Sequence, residues 1–126
     1  MQNRTIALLI LLSAFFVGCK QQDYVNETEY YVKYAAEGYR EYVIFTNEAE
    51  EAITFSHNSS EPFERVIGPV RAGFKAYIQV GIDSNNNTKT QSARIEVRKG
   101  DSPFVLKAEN SGVRRVITRY TIEKTN

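Results

Sequence analysis

The sequence predicts an all-β domain, an antiparallel sandwich of two sheets and about seven to eight strands. Three observations carry that expectation. Apolar residues recur at every second position through most of the chain after Tyr24, the period of a strand with one buried face. Turn-forming clusters of Gly, Asn, Ser and Pro interrupt the alternation at short intervals. No segment after Lys20 carries apolar residues at helical spacing. A closed barrel would satisfy the same signals and is the main alternative.

The elements follow in order. "TEYYVKYAA", residues 28–36, sets Tyr30, Val32 and Tyr34 on one face and Tyr31 and Lys33 on the other, and Gly38 ends it. "REYVIFT" and "AITFSH" read as the arms of a hairpin around "NEAEE". Their β-branched and aromatic residues suit a pleated, half-buried surface. "FERVIGPV" contains Gly68 and Pro69. Proline cannot donate to a ladder, so this is an edge or bulged strand. "FKAYIQVGID" alternates most strictly, with Phe74, Ala76, Ile78, Val80 and Ile82 inward. "SARIEVRKG" puts Ala93, Ile95 and Val97 inward and Arg94, Glu96 and Arg98 outward. "SPFVLKAEN" gives Phe104, Leu106 and Ala108 to one face, and "NSG" is expected to turn. "VRRVITRYTIEK" closes the chain, with Val116, Tyr120 and Ile122 inward and Arg115, Ile117 and Arg119 outward.

The first eighteen residues are of another kind. Arg4 and the amino terminus form a short polar region, "IALLILLSAFFV" is apolar except for Ser13, and Gly18 precedes Cys19. This is signal-peptide organisation. The apolar run has 12 residues, whereas a spanning helix needs about 20. The expected domains are a signal peptide over 1–18, a tether over 19–27 and the sandwich over 28–126. The signal peptide is expected to be helical.

"FVGC" resembles a bacterial lipobox, with Gly18 and Cys19 at the matching positions and Phe16 where Leu is usual. The resemblance implies cleavage between Gly18 and Cys19 and a covalent lipid on the Cys19 thiol. That is the one cofactor-like group expected. A core role suits this thiol badly, because it stands between an apolar run and "KQQD". Lys20 follows the cysteine, not the Asp that marks inner-membrane retention in enteric bacteria, so the resemblance implies an outer-membrane location. "KQQD" is also similar to the export tethers of Bacteroidetes lipoproteins.

Composition limits the partners. The chain has 126 residues and a formal net charge of +1. Removal of the leader takes Arg4, and 15 basic residues then face 15 acidic ones. A nucleic-acid binder needs a basic surplus, so none is expected. One cysteine excludes an internal disulfide. Packing and strand pairing must hold about 108 residues, enough for a single modest core.

Further along, "YVIFTNEAEEAITF", "GPVRAGFKAYIQVGID" and "ARIEVRKGDSPFVLKAENSG" are together similar to small MmpS-like sandwich proteins and related Bacteroidetes lipoproteins. The resemblance spans about residues 24–124. It implies an immunoglobulin-like sandwich and an accessory role beside membrane exporters. The family's Leu-Pro-Trp element has no counterpart here, since the chain holds no Trp.

Catalytic residue types are sparse. His57, the only histidine, stands near Ser56, Ser59 and Glu61. Triad members converge from separate elements, so a solvated loop histidine is the simpler reading. One histidine is also too few for common zinc sites. "DSNNNT" offers Asp83, Asn85 and Asn87 at calcium-loop positions, but Thr88 stands where Gly is required and Arg94 where a bidentate Glu is needed. Glu48, Glu50 and Glu51 read as a solvated loop, and the sequons "NET", "NSS" and "NNT" as chance.

The remaining candidate is an interface. Arg94, Arg98, Arg115 and Arg119, with Tyr31 and Tyr77, are expected on outward faces, either as one shared interface or, the simpler reading, as an ordinary charged strand face paired with Glu96 and Glu123. Arg and Tyr are enriched at protein interfaces. The expected function is a non-enzymatic, lipid-anchored module binding an envelope protein or glycan, assisting a transport or envelope complex. The alternatives are a small hydrolase using His57 and a structural component assembling through its edge strands.

Overall fold

The structure is a computed structural model and describes residues 28–84 and 88–124. The expected signal peptide, with Gly18, Cys19 and the expected tether to residue 27, lies outside the described residues. Those residues form eight strands and no helix, so none is long and apolar enough to cross a membrane. The strands are β1 (Tyr30–Glu37), β2 (Arg40–Thr46), β3 (Ala52–Ser59), β4 (Phe63–Val70), β5 (Lys75–Gly81), β6 (Thr90–Lys99), β7 (Val105–Val113) and β8 (Arg115–Thr121). They form two antiparallel four-stranded sheets. Sheet A has the order β4-β1-β6-β7 and sheet B the order β3-β2-β5-β8.

The predicted alternation is what closes the two sheets on each other. Val32, Tyr34 and Ala36 of β1 and Ala93, Ile95 and Val97 of β6 meet Val43, Phe45, Ile78, Val80 and Val116 of sheet B in one apolar cluster. Each such side chain taken fully from water contributes about 1.5–3 kcal/mol. Every strand and every residue of this core lies between Tyr30 and Ile122. Among the described residues, the packing that holds the sheets lies within this segment.

Two polar groups cross the core and fix the sheets relative to each other. Thr118 of β8 is fully buried, and its hydroxyl donates to the Ala93 carbonyl of β6 at 2.9 Å. The Tyr34 hydroxyl meets the Thr46 hydroxyl at 2.8 Å, and Thr46 in turn accepts the Tyr77 N–H at 3.1 Å. Burial pushes the Tyr34 phenol pKa upward. A neutral phenol is the form that suits this dry position.

Two glycines of positive φ also stand where a Cβ would collide with close neighbours. Gly38, φ +92°, carries the chain from β1 to β2, and a Cβ there would stand 2.5 Å from the Thr90 carbonyl oxygen. Gly68, φ +138°, lies beneath the Tyr31 ring, 2.6 Å from where a Cβ would sit. β4 does lie at a sheet edge and its pairing with β1 shifts register between Tyr30 and Val32, as Gly68 and Pro69 foretold.

One expected turn is absent. Asn110, Ser111 and Gly112 lie inside β7, opposite Ala93, Ser92 and Gln91 of β6. Pairing along the length of β6 overrides their turn preference, and the Asn110 amide donates to the Ile117 carbonyl at 2.9 Å. The chain reverses instead at Arg114, φ 73°. A register shift between Ile95 and Glu96 also breaks the expected phase of β7. Leu106 sits opposite outward Glu96, but Ala108 sits opposite inward Ile95.

Candidate functional site

The six residues expected at an interface do not share one face. β6 belongs to sheet A and β8 to sheet B, so the arginines fall into two groups on opposite sides of the molecule. The sequence showed that each points outward but held no information on which sheet each strand joins.

On sheet A, Tyr31 of β1 is the register partner of Arg98. The Arg98 guanidinium lies 4.6 Å from the Tyr31 ring centre and 5.0 Å from that of Phe104. Lys33 covers the same Phe104 ring at 4.4 Å. These are cation–π distances. Arg94 is held differently, by Glu37 and Glu96 at 3.4 Å each. Burial opposes its charge, but the bonds to Glu37 and Glu96 outweigh that and raise its pKa. Arg94 is thus already neutralised by its neighbours.

On sheet B a continuous row crosses three strands. The Arg119 guanidinium lies 5.3 Å from the Tyr77 ring centre. The Tyr77 hydroxyl donates to the Gln79 amide oxygen at 2.5 Å, and the Gln79 amide nitrogen donates to the Tyr42 hydroxyl at 3.0 Å. Gly81 makes room for Tyr42, whose hydroxyl would stand 2.2 Å from a Cβ at that position. Ile44 and Ile117, half-buried, flank Gln79 on the neighbouring strands, and Arg115 lies opposite Gly81. Tyr42 and Gln79 were missed in the sequence. Alternation places Gln79 on the face of Tyr77, but Tyr42 joins them only through the register of β2 with β5.

The acid–base candidates do not converge. His57 is exposed on β3, and no hydrogen bond or ion pair joins it to Ser56, Ser59 or Glu61 among the described residues. Ser59 instead accepts the Glu61 N–H at 3.0 Å. The Glu61 carbonyl accepts from buried Arg40 at 2.5 Å. Glu50 serves the backbone, accepting the Lys75 N–H at 3.1 Å, while the Asn47 side chain holds the loop by accepting the N–H groups of Ala49 and Glu51. No three His, Cys, Asp or Glu side chains gather to hold a metal among the described residues.

Of the calcium-loop candidates, Asn85 and Asn87 lie outside the described residues. The N–H groups of Asp83 and Ser84 both donate to Glu41, at 2.5 and 2.8 Å. Those bonds, led by that from Ser84, hold the Glu41 carboxyl below its ordinary pKa. Glu41 organises this loop, and only the register of the fold shows it.

Compared with family models, with curated proteins and with solved structures, the chain matches none.

Proposed function

We propose that the chain is a bacterial envelope lipoprotein, cut before Cys19 and held in the outer membrane by lipid on that thiol. Its sandwich is a non-catalytic binding module that meets an acidic protein partner through the outer face of sheet B. The anchor rests on the apolar leader followed by "FVGC" and on a first strand that begins shortly afterwards, at Tyr30. The immunoglobulin-like type rests on strand order. The neighbours β1–β4 in one sheet and β3–β2–β5–β8 in the other support it by analogy with B–E and C′–C–F–G, while the β6–β7 hairpin, which stands in the chain between β5 and β8, has no counterpart there.

The observation that carries the binding role is the row Arg119–Tyr77–Gln79–Tyr42. Its side chains are fixed by one another, so little rotamer freedom remains to be lost when a partner docks. The row holds Arg119, with Arg115 on the same strand opposite Gly81 and Lys75 on β5, and Glu50, the carboxylate beside Tyr77 and Arg119, is engaged by the Lys75 N–H. Rigid tyrosines beside arginines are the residue types that dominate binding energy at interfaces. On sheet A, by contrast, Arg94 already has Glu37 and Glu96.

Two measurements test the proposal. Metabolic labelling with an alkyne-tagged palmitate should mark the wild-type chain and leave Cys19→Ala unmarked; an unmarked wild type refutes the anchor. Photo-crosslinking from position 121, exposed beside Tyr77 and Arg119, in cells should give one discrete protein adduct. That adduct should vanish in Arg115→Glu/Arg119→Glu and persist in Arg94→Glu/Arg98→Glu. Equal loss in both variants would remove sheet B from the interface.

A further inference from the structure

A second feature of the fold is independent of the sheet B face. β7 and β8 are the edge strands of their sheets on the same side of the sandwich. They are joined at Arg114 and held there by the bond from Asn110 to the Ile117 carbonyl. At their other ends a cleft of about 210 Å³ separates them. Tyr30 and Val97 of the core form its base, Val105 lines one wall, and Tyr120 and Ile122 line the other. Val105 lies opposite inward Val97, yet it is 53% exposed. The sandwich is therefore unfilled on this side, and apolar surface faces water.

The rim supplies a chemical preference. Lys99 and Lys107 stand at the cleft with one carboxylate, Glu123, and the Lys107 ammonium lies 6.0 Å from the Tyr120 ring centre. The local charge is positive above an apolar interior. The volume exceeds the roughly 150 Å³ that admits a benzene ring and falls below the roughly 300–1,000 Å³ of a drug-sized pocket. We propose that the cleft binds an alkyl carboxylate of medium chain length. Its tail lies between β7 and β8 on Tyr30, Val97 and Ile122, and its carboxylate meets Lys99 and Lys107. A longer chain would leave methylenes in water beyond the cleft, and an uncharged one forgoes the lysines.

The test uses residues 28–126, which contain every described core residue, and sodium octanoate as the probe. Methyl NMR of Val97, Val105 and Ile122 should show saturable shifts with octanoate. Octan-1-ol should bind about tenfold more weakly, the size expected for losing one charge-assisted contact. Lys99→Gln/Lys107→Gln should weaken octanoate by a similar factor without moving the Tm, and Val105→Trp should block it by filling the cleft. Any of four results overturns the proposal: shifts that do not saturate, equal affinity for octanol, a lysine double variant that binds normally, or unchanged binding to Val105→Trp. Shifts accompanied by octanoate-independent dimerisation, or displaced by an extended peptide that protects β7 amides, would assign the cleft to a strand partner and overturn it as well.

Discussion

The two open sides of the sandwich are built in opposite ways. On one side, edge strands β3 and β4 are closed over by aromatic rings. Phe45, Phe55 and Phe63 stand with ring centres 5.9–6.2 Å apart. Arg65 covers Phe55 at 4.9 Å and Phe45 at 5.7 Å, and Arg40 lies 5.6 Å from Phe63. On the other side, β7 and β8 present Val105 and Lys107 across an unfilled cleft from Tyr120 and Ile122. Long flat side chains can seal the gap between two sheet edges, and short aliphatic ones cannot. The arginines do so while keeping contact with water. One side is thus committed to stability and the other is free to take a ligand.

This contrast predicts unequal costs of substitution. Phe45 is 2% exposed and joins the core to the aromatic side. Phe45→Ala should lose about 3–5 kcal/mol of unfolding free energy, the range for emptying a packed aromatic site. Denaturant unfolding of residues 28–126 measures it. A loss below about 1 kcal/mol would mean that the aromatic side is not packed as a core.

Arg40 should come next. It is 6% exposed and donates to the carbonyls of Glu61 and Gly38. Burial lowers its pKa, but an arginine stays charged, so its bonds must be kept. Arg40→Met should cost about 1–3 kcal/mol, because carbonyls lose their donor in a partly dry site. Arg65→Gln, which removes only exposed ring contacts, should cost about 0.5–1 kcal/mol. Val105→Thr on the open side should stay within about 0.5 kcal/mol of wild type, as for a surface position. If Val105→Thr were as costly as Arg65→Gln, the two sides would be equally closed and the contrast would fail.

The sequence made one level of this visible and hid the next. Period-2 alternation marked Ile78, Val80, Ile95 and Val97 as inward because a half-buried strand leaves that imprint on its own residues. It also gave the outward direction of Arg98 and Arg119. Which strands become neighbours leaves no such imprint. Placing Arg94 and Arg119 on opposite sheets, or Tyr42 beside Gln79, depends on pairings between segments far apart in the chain. The Asn110–Gly112 turn was misread for the same reason: local preference indicated a turn, and long-range pairing with β6 decided otherwise. Arg40 and Arg65 look like ordinary outward charges in the sequence. Only the gap between β3 and β4 turns them into covers for aromatic rings.

Acid offers the finest test, because the hydrogen bonds and ring contacts that seal the aromatic side use carbonyls and ring faces as acceptors, and the Glu61 carboxylate acts on Arg40 only through unbonded charge attraction. Protonation should leave that side closed. The loop at Asp83 and Ser84 should behave otherwise, since both N–H groups are held by the Glu41 carboxylate. The Glu41 pKa is lowered in the folded chain, first through the Ser84 bond. A lowered carboxyl pKa contributes stability that is present above the unfolded value, near 4.3, and is lost as pH falls through the folded value. Glu41 is half-buried and its backbone bonds go to one loop, so the effect should be local. Amide shifts and protection of Asp83 and Ser84 should change in acid and remain constant between about pH 5 and 8, and Glu41→Gln should abolish the acid transition in those amides. The amides of Phe55 and Phe63 should be unaffected over the same range. Opening of the aromatic side before the Glu41 loop would mean that a carboxylate holds it after all, and the division between the two sides would need a different physical cause.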